Sequence, residues 1–243
     1  MQVMHVLKVL NPHVQMDFLS TKASLLPGFG SPTLVNLWVL NICWCLVVYL
    51  TSGVMLTVYF RRAVDVRHIT HSVSAIPFYA ILPTACERLV LDGYTRAYTH
   101  TPSFLTGTCH TLTFFFCTEF GVYFIHRILH ANKTLYRWIH RSHHRYSSRN
   151  KLGPFAGLAF HPMDGLLQAL PYALTLFVVP INFVVFEILL FLTGLWTAFI
   201  HTPEFCGFFP LLGPQHHLKH HLFHNKNYGQ YTIGFDFLFG TLA

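Results

Sequence analysis

Charge is what this sequence has least of. Of its 243 residues only 10% are charged, and only nine are Asp or Glu. A soluble domain carries about 25% charged residues, so a water-soluble globule is excluded. No acidic residue falls between Glu119 and Asp164, across the chain's densest run of histidine. A metal site built from inward carboxylates, as in soluble four-helix di-iron proteins, is therefore excluded there. The six cysteines show no paired zinc-type spacing and read as buried apolar thiols in a reducing setting. The start "MQVMHVLKVLNPH" lacks a basic stretch followed by a clean apolar core, so no cleavable signal peptide is expected. No internal repeat or low-complexity tract is found, and "FGTLA" carries no basic retrieval tail.

What is there is apolar bulk. Hydrophobic residues make up 53% of the chain, with 24 Phe and a mean hydropathy of +0.44. Residues 33–60 contain no charge, and about 20 apolar residues suffice to cross a bilayer. Arg61, Arg62 and Arg67 follow directly and mark that end as cytoplasmic. Residues 73–91 form a weaker span, crossing or re-entrant, broken by Pro77 and Pro83. Residues 104–125 form a stronger one that runs into His126. Residues 165–200 carry one charge, Glu187. A single helix of that length would reach about 54 Å, against a hydrocarbon core of about 30 Å. Pro180, Ile181 and Asn182 fall near its middle, so two short helices with a turn are expected, returning His201 to the side of residues 126–164. The expected fold is an all-α integral membrane protein. A bundle of four to five transmembrane helices carries a cytosolic histidine-rich helical cap with a dinuclear metal site. Residues 1–32 form a peripheral leader, and 33–243 a single membrane-embedded domain.

Three histidine clusters stand out. "HRILH" places His126 and His130 four apart; "HRSHH" places His140, His143 and His144, and "HLKHH" places His217, His220 and His221, at i, i+3 and i+4. On a helix these spacings share a face, so each cluster can aim its imidazoles at one point. A structural zinc takes four ligands; eight or more nitrogen donors suit two ions. Ligand type alone leaves iron, zinc, copper and nickel open. Glu119, Tyr123, His126 and His130 step along one helix face, and Glu119 is placed to orient an imidazole through its N–H. His161, Asp164 and His201 lie at span ends facing the site, with His201 a candidate ligand; His216 and His224 flank the third cluster as weaker candidates. The isolated His5, His13, His68, His71, His100 and His110 read as hydrogen-bonded interfacial residues. "NKT" at Asn132 matches a glycosylation sequon, but on the basic side of the membrane it is not expected to be modified. Seven of the 16 basic residues lie within 126–151. Nucleic-acid binding fits this apolar a chain poorly; a face near anionic lipid is simpler.

The pattern HxxxH, HxxHH, HxxHH resembles the fatty acid hydroxylase and sterol desaturase superfamily of membrane di-iron oxygenases. "NKLGPFAGLAFHPMDGLLQALPYAL" and "HHLKHHLFHNKNYGQYTIGFDFLFGTL" resemble its sterol C-5 desaturase (lathosterol oxidase) branch, especially plant-like members, over roughly residues 110–243. The resemblance implies an endoplasmic-reticulum enzyme that introduces the C5=C6 double bond into a Δ7-sterol. It would reduce dioxygen with electrons from NAD(P)H through a reductase and cytochrome b5. It makes His126, His130, His140, His143, His144, His217, His220 and His221 iron ligands and catalytic residues, with His201 added as a ligand. Zinc can replace iron in a purified sample. Phe155, Phe160 and Trp196 would wall the sterol site. Phe205 and Lys226 stand where plant-like members tend to carry histidine. The alternatives are a C-4 methylsterol oxidase or other lipid hydroxylase of the superfamily and, in another class, a histidine-rich zinc carrier or scaffold.

Overall fold

The computed structural model describes residues 33–99, 103–148, 151–205 and 208–243. The leader, His5, His13, His100 and Cys206 lie outside the described residues. Helix α1 (Leu34–Tyr59) begins at Thr33, whose hydroxyl accepts from Asn36 N. It carries exposed Val35, Val54, Met55 and Val58 alongside buried Leu37 and Leu40. A helix apolar on both its packed and its open faces belongs in lipid. Asp65 caps α2 (Val66–Tyr79), and α3 (Ile81–Leu91) continues from Ala80. Together α2 and α3 make one 26-residue candidate span, Val66–Leu91. Helix α4 (Phe104–Ala131) is a third, capped by Ser103.

Helix α6 (Pro162–Val178) and α7 (Phe183–Ile200) replace the single long run. The turn falls at Ile181–Asn182, where a two-residue strand pairs in parallel with Ala97–Tyr98. Asn182 makes the reversal: its side-chain oxygen accepts from Val184 N, capping α7, while its amide donates to Thr99 O. The fourth candidate span is α7. With four spans among the described residues long and apolar enough to cross a bilayer, the chain is a multi-pass membrane protein.

Helix α1 packs on α7 and α3, and α4 packs on α6. Val48 lies so close to Gly194 that a Cβ there would meet its methyl at 2.8 Å. The core between the helices is Leu37, Phe114, Leu176, Phe183 and Phe186. The C-terminal ends of α1, α4 and α7 and the N-terminal end of α6 meet at one end of the bundle. There a layer of short elements covers them: α5 (Lys133–Trp138), 3-10 turns at His140–Tyr146 and Pro154–Ala156, α8 (Pro214–Phe223) and α9 (Gly234–Leu238). Arg62, just past α1, ties this layer down through Glu204 and the Leu152 carbonyl.

Candidate metal centre

Nine imidazoles meet in that layer, in two groups. His126, His130, His140, His144 and His220 form one; His143, His201, His217 and His221 form the other. Within each group one ring nitrogen per residue lies within 4.8 Å of all the rest. The clusters do not map one to one onto the groups. The second cluster sits on a 3-10 turn, not an α-helix, and sends His143 to one group and His140 and His144 to the other. On α8, His217 and His221 share a face, while His220 stands about 100° from His221 around the axis and points to the neighbouring group. The expectation that each cluster serves one point is thus corrected: adjacent residues on a helix diverge, and here they straddle two centres.

Hydrogen bonds fix which nitrogens face inward. His140 Nδ1 donates to Asp164 Oδ2 at 2.7 Å, and His126 Nδ1 to the Tyr228 carbonyl at 3.0 Å. His220 Nδ1 donates to Lys226 O at 2.8 Å and His201 Nδ1 to Thr197 O at 2.7 Å. In a neutral imidazole the other nitrogen then carries a lone pair. Yet Nε2 of His126 and His140 lie 3.2 Å apart. His144 Nε2 lies 3.1 Å from those of His130, His140 and His220. His217 Nε2 stands 3.1 Å from those of His201 and His221. For His126 and His140, whose Nδ1 protons are both committed, the facing Nε2 lone pairs are stable together only around a cation.

The spacing fits a bound metal. Nitrogens about 2.1 Å from a shared ion and 3.1 Å from each other subtend about 95°. That is closer to the right angle of five- or six-coordination than to a tetrahedron. The donors are also held neutral. Burial pushes His143, His144, His217, His220 and His221 well below the usual imidazole range, and His201 down to about 4. Neutral imidazole is the metal-binding form.

The other expected residues divide. Asp164, fully buried, supports His140 and also accepts from Gln168 Nε2 at 2.8 Å. Glu119 reaches no imidazole. Its carboxylate accepts from the backbone N–H groups of Tyr231 and Thr232 and from the Thr232 hydroxyl, at 2.7 to 3.1 Å. Tyr123 bonds Thr241 Oγ1 and receives Arg127. His161 joins neither group; it caps α6 by accepting from Met163 N. His216 accepts from Gly213 N, and His224 ends α8 in the left-handed conformation beside Tyr136. His68 is buried against Tyr146. Asn132 caps α5 with its side chain.

The segment "NYGQYT" emerges as the second support. Asn227 adopts a positive φ and bonds His216 O. Tyr228 and Gly229 donate their N–H groups to Asp236. Gly229 has no room for a side chain: a Cβ would lie 2.3 Å from Thr232 O. Glu119 and Asp236 thus clamp this loop from both sides, and its carbonyls clamp His126 and, through Lys226, His220. Lys226 receives His220 on its carbonyl, and its ammonium donates to Gly240 O. Phe205 packs on Phe199.

Below the imidazoles a cavity of about 600 Å³ runs between the helices, lined mainly by apolar groups such as Trp44, Val48, Phe160, Ala169 and Phe191. His126, His143, His201 and His217 form part of its wall. Phe155 and Trp196 do not line it. Phe155 packs on Tyr49 beneath Gly53, and the Trp196 indole donates to Gln230 O.

These features define a polytopic membrane protein with a paired polyhistidine centre open to an apolar cavity. The family model "Fatty acid hydroxylase" matches residues 111–241. The chain is 38% identical over 207 residues to a putative Δ7-sterol-C5(6)-desaturase 2 of Arabidopsis thaliana, covering 82% of this chain and 73% of that one. It is 40% identical over 176 residues to a Δ7-sterol-C5(6)-desaturase of Nicotiana tabacum (72% and 65%). It is 37% identical over 183 residues to a lathosterol oxidase of Rattus norvegicus (72% and 60%). No solved structure matches it. The chain belongs to the fatty acid hydroxylase family.

Proposed function

We propose that this chain is a Δ7-sterol C5(6)-desaturase, a membrane oxidoreductase that draws its substrate from lipid into the cavity below the paired histidine centre. The observation that carries the reading is two groups of inward-facing imidazole nitrogens on the wall of an apolar cavity between spans. In this reading His126, His130, His140, His144 and His220 hold one iron, and His143, His201, His217 and His221 hold the other. When bound, the irons with dioxygen supply an oxidant able to break an unactivated C–H bond, which no acid–base side chain can do. In the overall reaction dioxygen accepts four electrons, two from the C–H pair at C-5 and C-6 and two from an external donor. It leaves as two waters.

The chain's own part is positioning and exclusion of water. Asp164 and the carbonyls of Thr197, Lys226 and Tyr228 hold four imidazoles in one tautomer. Phe160, edge-on to His143 and tilted against Tyr79, walls the reacting end. Exposed Lys133, Arg137, Arg141 and Arg145 present positive charge on the same layer. They suit an acidic electron donor such as cytochrome b5, docking from the cytosolic face of the endoplasmic reticulum, with electrons originating from NAD(P)H.

Expression in a cell lacking sterol C-5 desaturation, with sterols read by mass spectrometry, tests the activity. The wild-type chain yields the 5,7-diene, and His143→Ala yields none while inserting normally. An alcohol in place of the diene would identify a hydroxylase instead.

A further inference from the structure

The cavity has polar groups at both ends. At the far end Asn41 donates to Thr84 Oγ1 at 3.1 Å and to Glu87 Oε2 at 2.9 Å, and Glu187 lines the wall. At the imidazole end stand Gln168, Thr193, Thr197 and Gln230. A sterol's hydroxyl is on C-3, so its oxygen is three bonds from C-5. With C-5 beneath the imidazoles, the hydroxyl must be read close to them. Glu187 and His201 are 14 positions apart on α7, about 21 Å along the axis. That distance excludes the far cluster.

At the near end most hydroxyls are mutually engaged. Thr193 bonds the Tyr231 hydroxyl, which bonds that of Tyr172. Thr197 Oγ1 accepts from Gln230 Nε2 at 3.0 Å, in a contact that a hydroxyl can make in either sense. Gln168 differs. Its amide nitrogen donates to Asp164 Oδ1 at 2.8 Å, and a carboxylate only accepts, so the amide cannot be turned. Gln168 lines the cavity, and its Oε1 has no hydrogen bond from the described residues.

We infer that Gln168 Oε1 accepts the hydrogen bond of the substrate hydroxyl and thereby sets which ring carbons lie under the histidines. The inference rests on the desaturase reading. Asp164 then stands between substrate and imidazole: one carboxylate oxygen holds Gln168, the other His140. Substrate register and ring orientation are fixed by one residue.

The test crosses enzyme variant with substrate, using a Δ7-sterol and its 3-O-methyl ether, which cannot donate. The wild type prefers the free alcohol by about five- to tenfold in kcat/KM, the scale of one neutral hydrogen bond. Gln168→Leu and the longer Gln168→Met abolish the preference, bringing kcat/KM for the alcohol down to that of the ether. Iron content and the iron Mössbauer spectrum stay as in wild type. An equal loss on both substrates, or a changed iron spectrum, would mean Gln168 only props Asp164, and overturns the inference. So does a preference that survives in both variants and vanishes in Gln230→Leu. A wild type that converts neither compound sinks the desaturase reading and this one with it. Turnover of both at equal rates sinks this one alone.

Discussion

Asp164 is buried with no exposed surface, in a chain that has few acids to place. A carboxylate there makes His140 Nδ1 a committed donor and so exposes the Nε2 lone pair. Asp164→Asn keeps the volume but replaces a charge-assisted bond with a neutral one. Metal affinity is expected to fall about 10- to 100-fold, measured by competition with a chromophoric chelator, with far-ultraviolet dichroism unchanged. Protonation gives a second check on the same rings. Burial lowers the folded-state values of His143, His144, His201, His217, His220 and His221 below the usual imidazole range. Their native forms are therefore already neutral at pH 7. Calorimetric metal titrations at pH 7 in buffers of different ionisation enthalpy are expected to show almost no proton release from these six. Unfolded imidazoles take up protons as pH drops through about 6.5, and the native ones resist, so the metal-free protein loses stability on acidification below that point. His201 itself charges only near its value of about 4.

At the scale of elements, α8 acts as a divider between centres. His221→Ala leaves three imidazoles in the smaller group, whereas His220→Ala leaves four in the larger. Loading is expected to drop from about two ions per chain toward one for His221→Ala and to stay nearer two for His220→Ala, as counted by plasma mass spectrometry. The loop from Lys226 to Thr232 is the other such element. A methyl group at Gly229 would press on Thr232 O, so Gly229→Ala is expected to destabilise by about 1–3 kcal/mol, read as a lower melting temperature in detergent. The sequence makes His126 and His130 on α4, and His217 and His221 on α8, legible as pairs, because a 3.6-residue period names a shared face, but it does not send His220 to the other group. It also makes the Pro180–Asn182 reversal legible, because length against bilayer thickness forces a break. It hides the loop's purpose. The carbonyls of Thr197, Lys226 and Tyr228 do their work through backbone atoms, which no residue type signals. Glu119 is misread for a related reason: spacing along α4 gives its face but not the chain that returns 112 residues later to meet it. The 3-10 turn at His140–Tyr146 escapes because the i, i+3 spacing shares a face in either kind of helix.

At the scale of the molecule, span and cavity depend on each other. The helices leave a lipid-depth cleft because small side chains line it, Gly165, Ala169, Gly194 and Ala198 among them. Two of these glycines have other roles, since Val48 fills the space beside Gly194, and Tyr79 and Phe160 that beside Gly165. Ala169 is the cleaner probe: it is half-buried, lies on the cavity wall and sits one residue past Gln168 on α6. A phenyl ring at that position is expected to fill the space a flat ring system would need. Ala169→Phe is therefore expected to keep the metal loading and melting temperature of wild type while lowering sterol turnover at least tenfold. Dioxygen consumption measured with a polarographic electrode should become independent of added sterol. If turnover persists undiminished, the substrate reaches the histidines by another route and the cleft between α1, α6 and α7 is not its site. If metal is lost as well, the cavity wall and the centre form one packing unit, and the separation of binding from chemistry drawn from their geometry fails.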